Sequence, residues 1–532
     1  MTPVDYPPRV TRKLPGAPRA PLPWLLGAAI FVLPALGWAQ PAEFLPARHP
    51  AYEEIEALAA RGSLDSIAVY TRPLARVDVA RSLMRALRLH PSLASDLHYQ
   101  RLARELEREL ADLGAETQVA ETGPLVDLGP REQRFRLSAA GHLRGDYEER
   151  RAIHFRFRDE SSVTTRLSLQ LWPAVAAFED LGITRIRSQR AWIDAIALHS
   201  DLETTVLRTD LTARTGPWTL AAGYDYFRWG PGRRGTLLLS DAAGPMGFLS
   251  HSVHLGRVTA TALTGQLSRA DGRYLAAHRI EAAVSGRLTV GLAEAVRYRS
   301  GNVDLLYAMG LIPYAIVERT QIRDAATDSV RGLERANIMA SMDLVWRPIP
   351  DLSLSTELLV DDYATENRDM PNRIAYQFGV SSDRPFGARA VRLSGEYTRV
   401  RNFTYSVDYG QSFIHRGHPL GYVLGPDVEN VFVEAIFDVN RDWQLRWSGD
   451  FTNHGEGRLG QAWSPALGFV SNDGLSGIVE ERREVWGDAR WMPRDNVDLS
   501  LGVGYRRVRN EGNIPGRDPN AWLARLAFDV RY

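Results

Sequence analysis

Residues Ala521 to Tyr532 read A-W-L-A-R-L-A-F-D-V-R-Y and alternate along their whole length. Trp522, Ala524, Leu526, Phe528, Val530 and Tyr532 fall on one face; Leu523, Arg525, Ala527, Asp529 and Arg531 fall on the other. Strand side chains repeat every two residues, so this stretch has one apolar and one largely polar face. A chain closing on such a strand, with an aromatic last, has the pattern of an outer-membrane β-barrel, lipid outside and water inside.

The same alternation recurs upstream. Met342, Leu344 and Trp346 share a face, Pro348 to Asp351 make a turn, and Leu352, Leu354, Thr356, Leu358 and Val360 continue it. Val431 to Val439 lead through Asn440-Arg441-Asp442 into Trp443, Leu445, Trp447, Gly449 and Phe451; Gln444, Arg446, Ser448 and Asp450 should then point inward. Val485 to Trp491 and Val497 to Tyr505 flank Pro493 to Asn496 in the same way. Long connections at 361–373, 402–428, 453–479 and 508–520 alternate with these tight turns. Short turns at one end and long loops at the other predict a membrane barrel with the short turns periplasmic. Trp346, Trp443 and Trp491 sit beside short turns, where an interfacial girdle belongs. Nine strands are readable from Asn337 onward, and the stretch 133–336 is long enough for about as many. The expected fold is an all-β transmembrane barrel of about 18 antiparallel strands with a small N-terminal α-helical periplasmic unit. A soluble sandwich or propeller alternates similarly. Strand length, the terminal aromatic and the leader described next favour the barrel.

Residues 1–39 read as a signal peptide. Arg9, Arg12, Lys13 and Arg19 are basic, Trp24 to Leu36 is apolar, and Gly37-Trp38-Ala39 offers small-residue cleavage. The apolar run falls short of the roughly 20 residues a spanning helix needs. Residues 40–132 form the helical unit and linker, and 133–532 the barrel. Within the unit, Tyr52, Ile55, Leu58 and Ala59 recur at helical spacing, as do Val79, Leu83, Met84 and Leu87. A third run, Pro91 to Leu113, carries a Leu97, Leu102, Leu106, Leu110 stripe. These stripes suit packing on one another and on the barrel mouth.

Hydrophobic residues make up 44% of the 532 and mean hydropathy is −0.25, so no bundle of spanning helices is present; alternating strands dilute hydropathy by half. The chain has no cysteine, which excludes disulfide scaffolds and thiolate metal sites. Basic and acidic residues balance at 64 each, and past residue 39 the balance is 60 against 63, a net of −3 that gives nucleic acid no footing. Lys13 is the only lysine. Coding bias explains that, while arginine forks also suit acidic sugars and inward ion pairs.

No cofactor or metal site is expected. His251 and His254 lack completing carboxylates, His415 and His418 sit in a loop, and no G-x-S-x-G elbow occurs. A triad assembled from separate strands would leave no linear motif, so a hydrolase stays open. Two segments depart from strand patterning. Tyr224 to Gly235 (Y-D-Y-F-R-W-G-P-G-R-R-G), continuing to Pro245, mixes aromatics, arginines and glycines. Aromatic faces stack on sugar rings and arginine pairs with uronate carboxylates, so anionic polysaccharide fits. The competing reading folds this loop into the lumen, with arginines satisfying acidic wall residues. The second segment, Tyr409 to Gly421 with Gly425-Pro426-Asp427, is a long loop rich in glycine and aromatics. Arg228, Trp229, Arg233, Asp241, Tyr409 and His415 are the candidate ligand contacts.

The order of these segments resembles the Wzi family of capsule-assembly outer-membrane proteins. The likeness is carried by H-P-A-Y at His49–Tyr52, R-W-G-P-G at Arg228–Gly232, L-L-L-S-D-A-A-G-P at Leu237–Pro245 and the stretch from Gly417 to Asp427. It implies a non-enzymatic barrel with an occluded lumen that attaches or organises surface polysaccharide. Its other partners would be outer-membrane lipid and, during biogenesis, the barrel-assembly machinery. A porin or substrate-specific channel is the main alternative, sharing every barrel feature but the blocked lumen.

Overall fold

The computed structural model describes residues 43–64, 67–115, 125–129, 133–150, 156–172, 175–188, 203–327, 336–362, 370–384, 391–467, 470–471, 473–494 and 496–531. The 1–39 leader and Tyr532 lie outside the described residues.

Eighteen antiparallel strands close into a barrel. In chain order the first nine are β1 (Phe135–Arg150), β2 (Arg156–Trp172), β3 (Val175–Ser188), β4 (Glu203–Thr215), β5 (Trp218–Asp225), β6 (Met246–Leu255), β7 (Val258–Ser268), β8 (Arg273–Ser285) and β9 (Leu288–Arg299). Then follow β10 (Asn337–Trp346), β11 (Leu352–Asp362), β12 (Arg373–Asp383), β13 (Val391–Val400), β14 (Val428–Asp438), β15 (Trp443–His454), β16 (Glu480–Arg494), β17 (Val497–Arg509) and β18 (Asn520–Arg531). Each strand pairs with its sequence neighbours, and β18 closes the ring on β1 with Leu526 opposite Gly145. Closure leaves no unpaired edge, which hydrocarbon would not tolerate.

The period of two divides the wall as the sequence predicts. Leu143, Val163, Leu211, Leu292, Phe378, Trp447, Leu501, Trp522 and Leu526 face outward and stay about half exposed. Alternate positions such as Arg279, Asp343, Glu357 and Gln377 are buried inside. Arg279 on β8 makes an ion pair with Asp343 on β10, Nη2 to Oδ1 3.0 Å, and its Nε donates to Thr71 at 2.8 Å. At one end the turns are tight, as at Gly216-Pro217, Gly256-Arg257 and Gly286-Arg287. Trp443 and Trp491 stack beside the turns there, ring centroids 5.9 Å apart. At the other end run the long connections 226–245, 300–336, 401–427 and 455–479.

The helical unit comprises α1 (Ala51–Ala60), α2 (Arg76–Leu89), α3 (Leu97–Glu105) and α4 (Glu107–Asp112). The third amphipathic run is not one helix. It begins as a 3-10 turn, Pro91–Ser95, and Asp96 then starts α3 by accepting the amides of His98 and Tyr99 at 3.0 and 3.3 Å. Ile55, Leu58, Leu83, Leu102 and Leu106 form a buried core that takes in Val345 of β10. The unit sits in the short-turn mouth and is tied to it by ion pairs. Arg61 reaches Asp351 at 2.9 Å, Arg101 reaches Asp438 at 2.8 Å, and Arg446 holds Glu53 at 2.7 Å.

Candidate functional site

Two of the long connections turn inward rather than out. In 226–245, Phe227, Trp229 and Leu237 to Leu239 are buried against Tyr405, Phe413, Leu420 and Tyr422 of 401–427. Burying loop backbone requires partners for its amides and carbonyls. The wall supplies them: Glu396 accepts the amides of Arg233 and Arg234 at 2.6 and 3.0 Å, and Glu357 accepts that of Leu237 at 2.9 Å. Gln377 donates to the Gly235 carbonyl at 3.1 Å, and the Tyr405 hydroxyl donates to that of Leu237 at 2.6 Å. Gly232 must be glycine, since a Cβ there would lie 2.0 Å from the Gly235 oxygen. At its deepest point the loop meets the helical unit. Arg228 and Trp229 pair as a short antiparallel ladder with Arg72 and Thr71, and the Gly230 amide donates to the Tyr70 carbonyl at 2.9 Å. Loop and helices thus join inside the lumen as one plug.

The structure places three of the candidate residues in this plug, with Arg228 also 3.4 Å from Asp241. Trp229 is only 2% exposed and has no ring face left for a sugar. The Arg228 guanidinium donates to the carbonyls of Gly232 and Arg233; burial, with Arg72 nearby, pushes its pKa down. Arg233 pairs with Glu434 at 2.7 Å; burial opposes its charge, but Glu434 and Glu56 outweigh it and hold its pKa above the usual value. These side chains fill and neutralise the lumen, as the competing reading of the segment had it. His415 is also buried, its Nε2 donating to the Pro245 carbonyl at 3.1 Å; burial lowers its pKa. Tyr409 is half-buried and its hydroxyl donates to the Ala336 carbonyl at 3.2 Å.

Asp241 is different, because it anchors an accessible cluster at the top of β5. Arg48, its side chain 51% exposed, places Nε 2.8 Å from the Asp241 carboxylate and its guanidinium 4.4 Å from the Tyr226 ring centre. Beside it, Arg416 is exposed and donates to the Tyr224 hydroxyl at 2.6 Å. Arg416 and Gly417 both have positive φ, 51° and 81°, making the turn between the two-residue strands 414–415 and 418–419. A side chain at such a turn projects outward, and a non-glycine residue is costly there unless used. The exposed His418 follows it. Two guanidinium groups, two phenol rings and one carboxylate therefore share one rim. That set can bind acidic groups through charged forks and sugar faces through rings. Tyr224, Tyr226 and Arg416 lie within segments the sequence singles out, but nothing in the spacing separates them from their neighbours. Arg48 lies 193 residues from Asp241, and only the docking of the N-terminal unit joins them. Among the described residues, no group of three or more His, Asp or Glu side chains is placed to hold a metal ion.

No family model matches the chain, and no curated protein matches it in sequence. Solved structures do resemble it. Wzi of Escherichia coli, described as an outer-membrane protein involved in group 1 capsule assembly and a carbohydrate-binding β-barrel, superposes with a TM-score of 0.60 at 14% identity, covering 92% of this chain and 99% of that one. Pseudomonas aeruginosa OprD gives a TM-score of 0.43 at 11% identity over 74% of this chain and 95% of that one. The chain has the fold of outer-membrane β-barrels.

Proposed function

We propose that this protein is a non-enzymatic outer-membrane barrel of the Wzi type, binding cell-surface polysaccharide and aiding capsule or exopolysaccharide assembly or attachment. The observation that carries the reading is the pairing of a plugged lumen with an accessible Arg–Tyr rim. The plug, joined at Gly230 and Tyr70, disfavours a diffusion channel, and the rim of Arg48, Tyr226, Tyr224 and Arg416 suits an acidic glycan. In this reading the short-turn end and helical unit face the periplasm and the rim faces outward. A repeating polymer offers many copies of one epitope, so weak single contacts suffice for retention. Titration of the purified barrel with acidic and neutral polysaccharides tests it. Binding of the acidic polymer, weakened in Arg416→Ala and Tyr226→Ala, supports it; equal indifference to both polymers contradicts it.

A further inference from the structure

Past the top of β9, residues 300–320 lie against the outer wall and lead into two helices, α5 (Leu305–Met309) and α6 (Tyr314–Thr327). The wall beneath has outward-facing positions set by Ile280 on β8 and Leu292 on β9, so Tyr274, Ala276, His278, Glu294, Val296 and Tyr298 share that face. Tyr307, Tyr314 and Val317 are buried on these residues. Tyr298 lies 4.9 Å from Tyr307, and Tyr314 lies 4.5 Å from His278, centroid to centroid.

Height on the wall gives this packing its meaning. Strands rise about 3.3 Å per residue and tilt about 40°, so the run from Leu288 to Tyr298 climbs roughly 25 Å, the height of an apolar band. Glu294 then lies roughly 10 Å below Tyr298, inside that band. Its carboxylate is 3.3 Å from His278 Nε2 and accepts the Tyr314 amide at 2.8 Å. A polar pair on a lipid-facing wall is costly unless covered. The helical hairpin covers it.

The hairpin's own outer surface is apolar. Leu305 and Leu311 are each 73% exposed, and Leu306, Met309 and Ile316 are exposed beside them. This surface is continuous with the lipid-facing wall. We propose that the 303–317 hairpin is a membrane-embedded flap, its outer face seated among the acyl chains of the leaflet on the long-loop side, sealing His278 and Glu294 from lipid.

The inference rests on the barrel's membrane location, and the test separates the two. The chain has no cysteine, so single cysteines can be introduced at Leu305, Leu311 and Ile316, with Leu292 as wall reference and Asn302 as aqueous reference. Spin labels on the full-length protein in phospholipid liposomes are exposed to oxygen, which concentrates in lipid, and to a water-soluble nickel chelate. The flap positions should match Leu292 in their oxygen-to-nickel ratio and exceed Asn302. Nickel access at the flap with oxygen preference at Leu292 overturns the flap alone. Nickel access at Leu292 overturns the membrane location and the flap with it. Dipolar broadening between copies at the flap positions assigns the surface to a second copy of the chain and also overturns the proposal.

Discussion

The Gly230 amide and the Tyr70 carbonyl, 2.9 Å apart, join a loop that enters the barrel from one end to a helical unit that enters from the other. Their junction is framed by the Arg279–Asp343 ion pair of the wall, which also holds Thr71. Purified protein in planar bilayers should therefore show no stable large conductance, whereas deletion of the helical unit should open one.

Trp229 should matter to stability and not to ligand contact. Truncating a buried tryptophan to alanine costs about 3–5 kcal/mol. Trp229→Ala should lower the urea midpoint of the folded barrel by a corresponding amount. Polymer affinity per folded molecule should change little.

Removing Arg279 leaves Asp343 charged and unpaired in a buried site, a loss of about 3–5 kcal/mol for such pairs. Arg279→Met should destabilise the barrel strongly. Adding Asp343→Asn should restore only part of the loss, since Asp343 is then no longer stranded while Glu281, 3.3 Å from Arg279, still loses its cation. Urea unfolding followed by tryptophan fluorescence measures both.

The mouth of the barrel should weaken in acid. Burial opposes ionisation of Glu53, but Arg446 and Arg392 outweigh it and hold the carboxyl at about 2, against 4.5 ordinarily. A depressed folded pKa contributes stability that is present above the unfolded pKa and is lost as pH falls through the folded one. The loss from this group should fall between about pH 4.5 and 2. Glu53→Gln should be less stable at neutral pH and show a shallower decline across that window in urea midpoints.

At the rim, a hydrogen bond to a charged group is worth about 1.5–3 kcal/mol. Arg416→Ala should thus weaken acidic-polymer binding about tenfold or more at low salt, with the unfolding midpoint unchanged, and salt should shrink the difference. Calorimetric titration at two ionic strengths checks this.

The barrel was largely legible in the sequence because one physical rule, alternation across a wall with lipid on one side, governs every strand. Trp522 and Leu526 outward with Leu523 inward follow that rule directly. The plug was less legible. Trp229 and Arg233 have the composition of a sugar site, and whether such a loop projects outward or folds inward depends on distant acceptors, Glu396 and Glu434. Arg48 and Asp241 meet only through tertiary docking. The flap at 305–317 was hidden for another reason: its apolar residues serve two faces at once, wall and exterior, so no simple period marks it.

The most direct test of the central claim is where the polymer resides when the gene is deleted. Cell-bound and released polysaccharide would be quantified in the deletion strain, and in strains complemented with the natural sequence or with the Arg48→Ala/Arg416→Ala double variant. A role in attachment predicts polymer shifted from cells to medium in the deletion, restored by the natural sequence and only partly by the double variant. Unchanged surface-bound polymer in the deletion strain would contradict it.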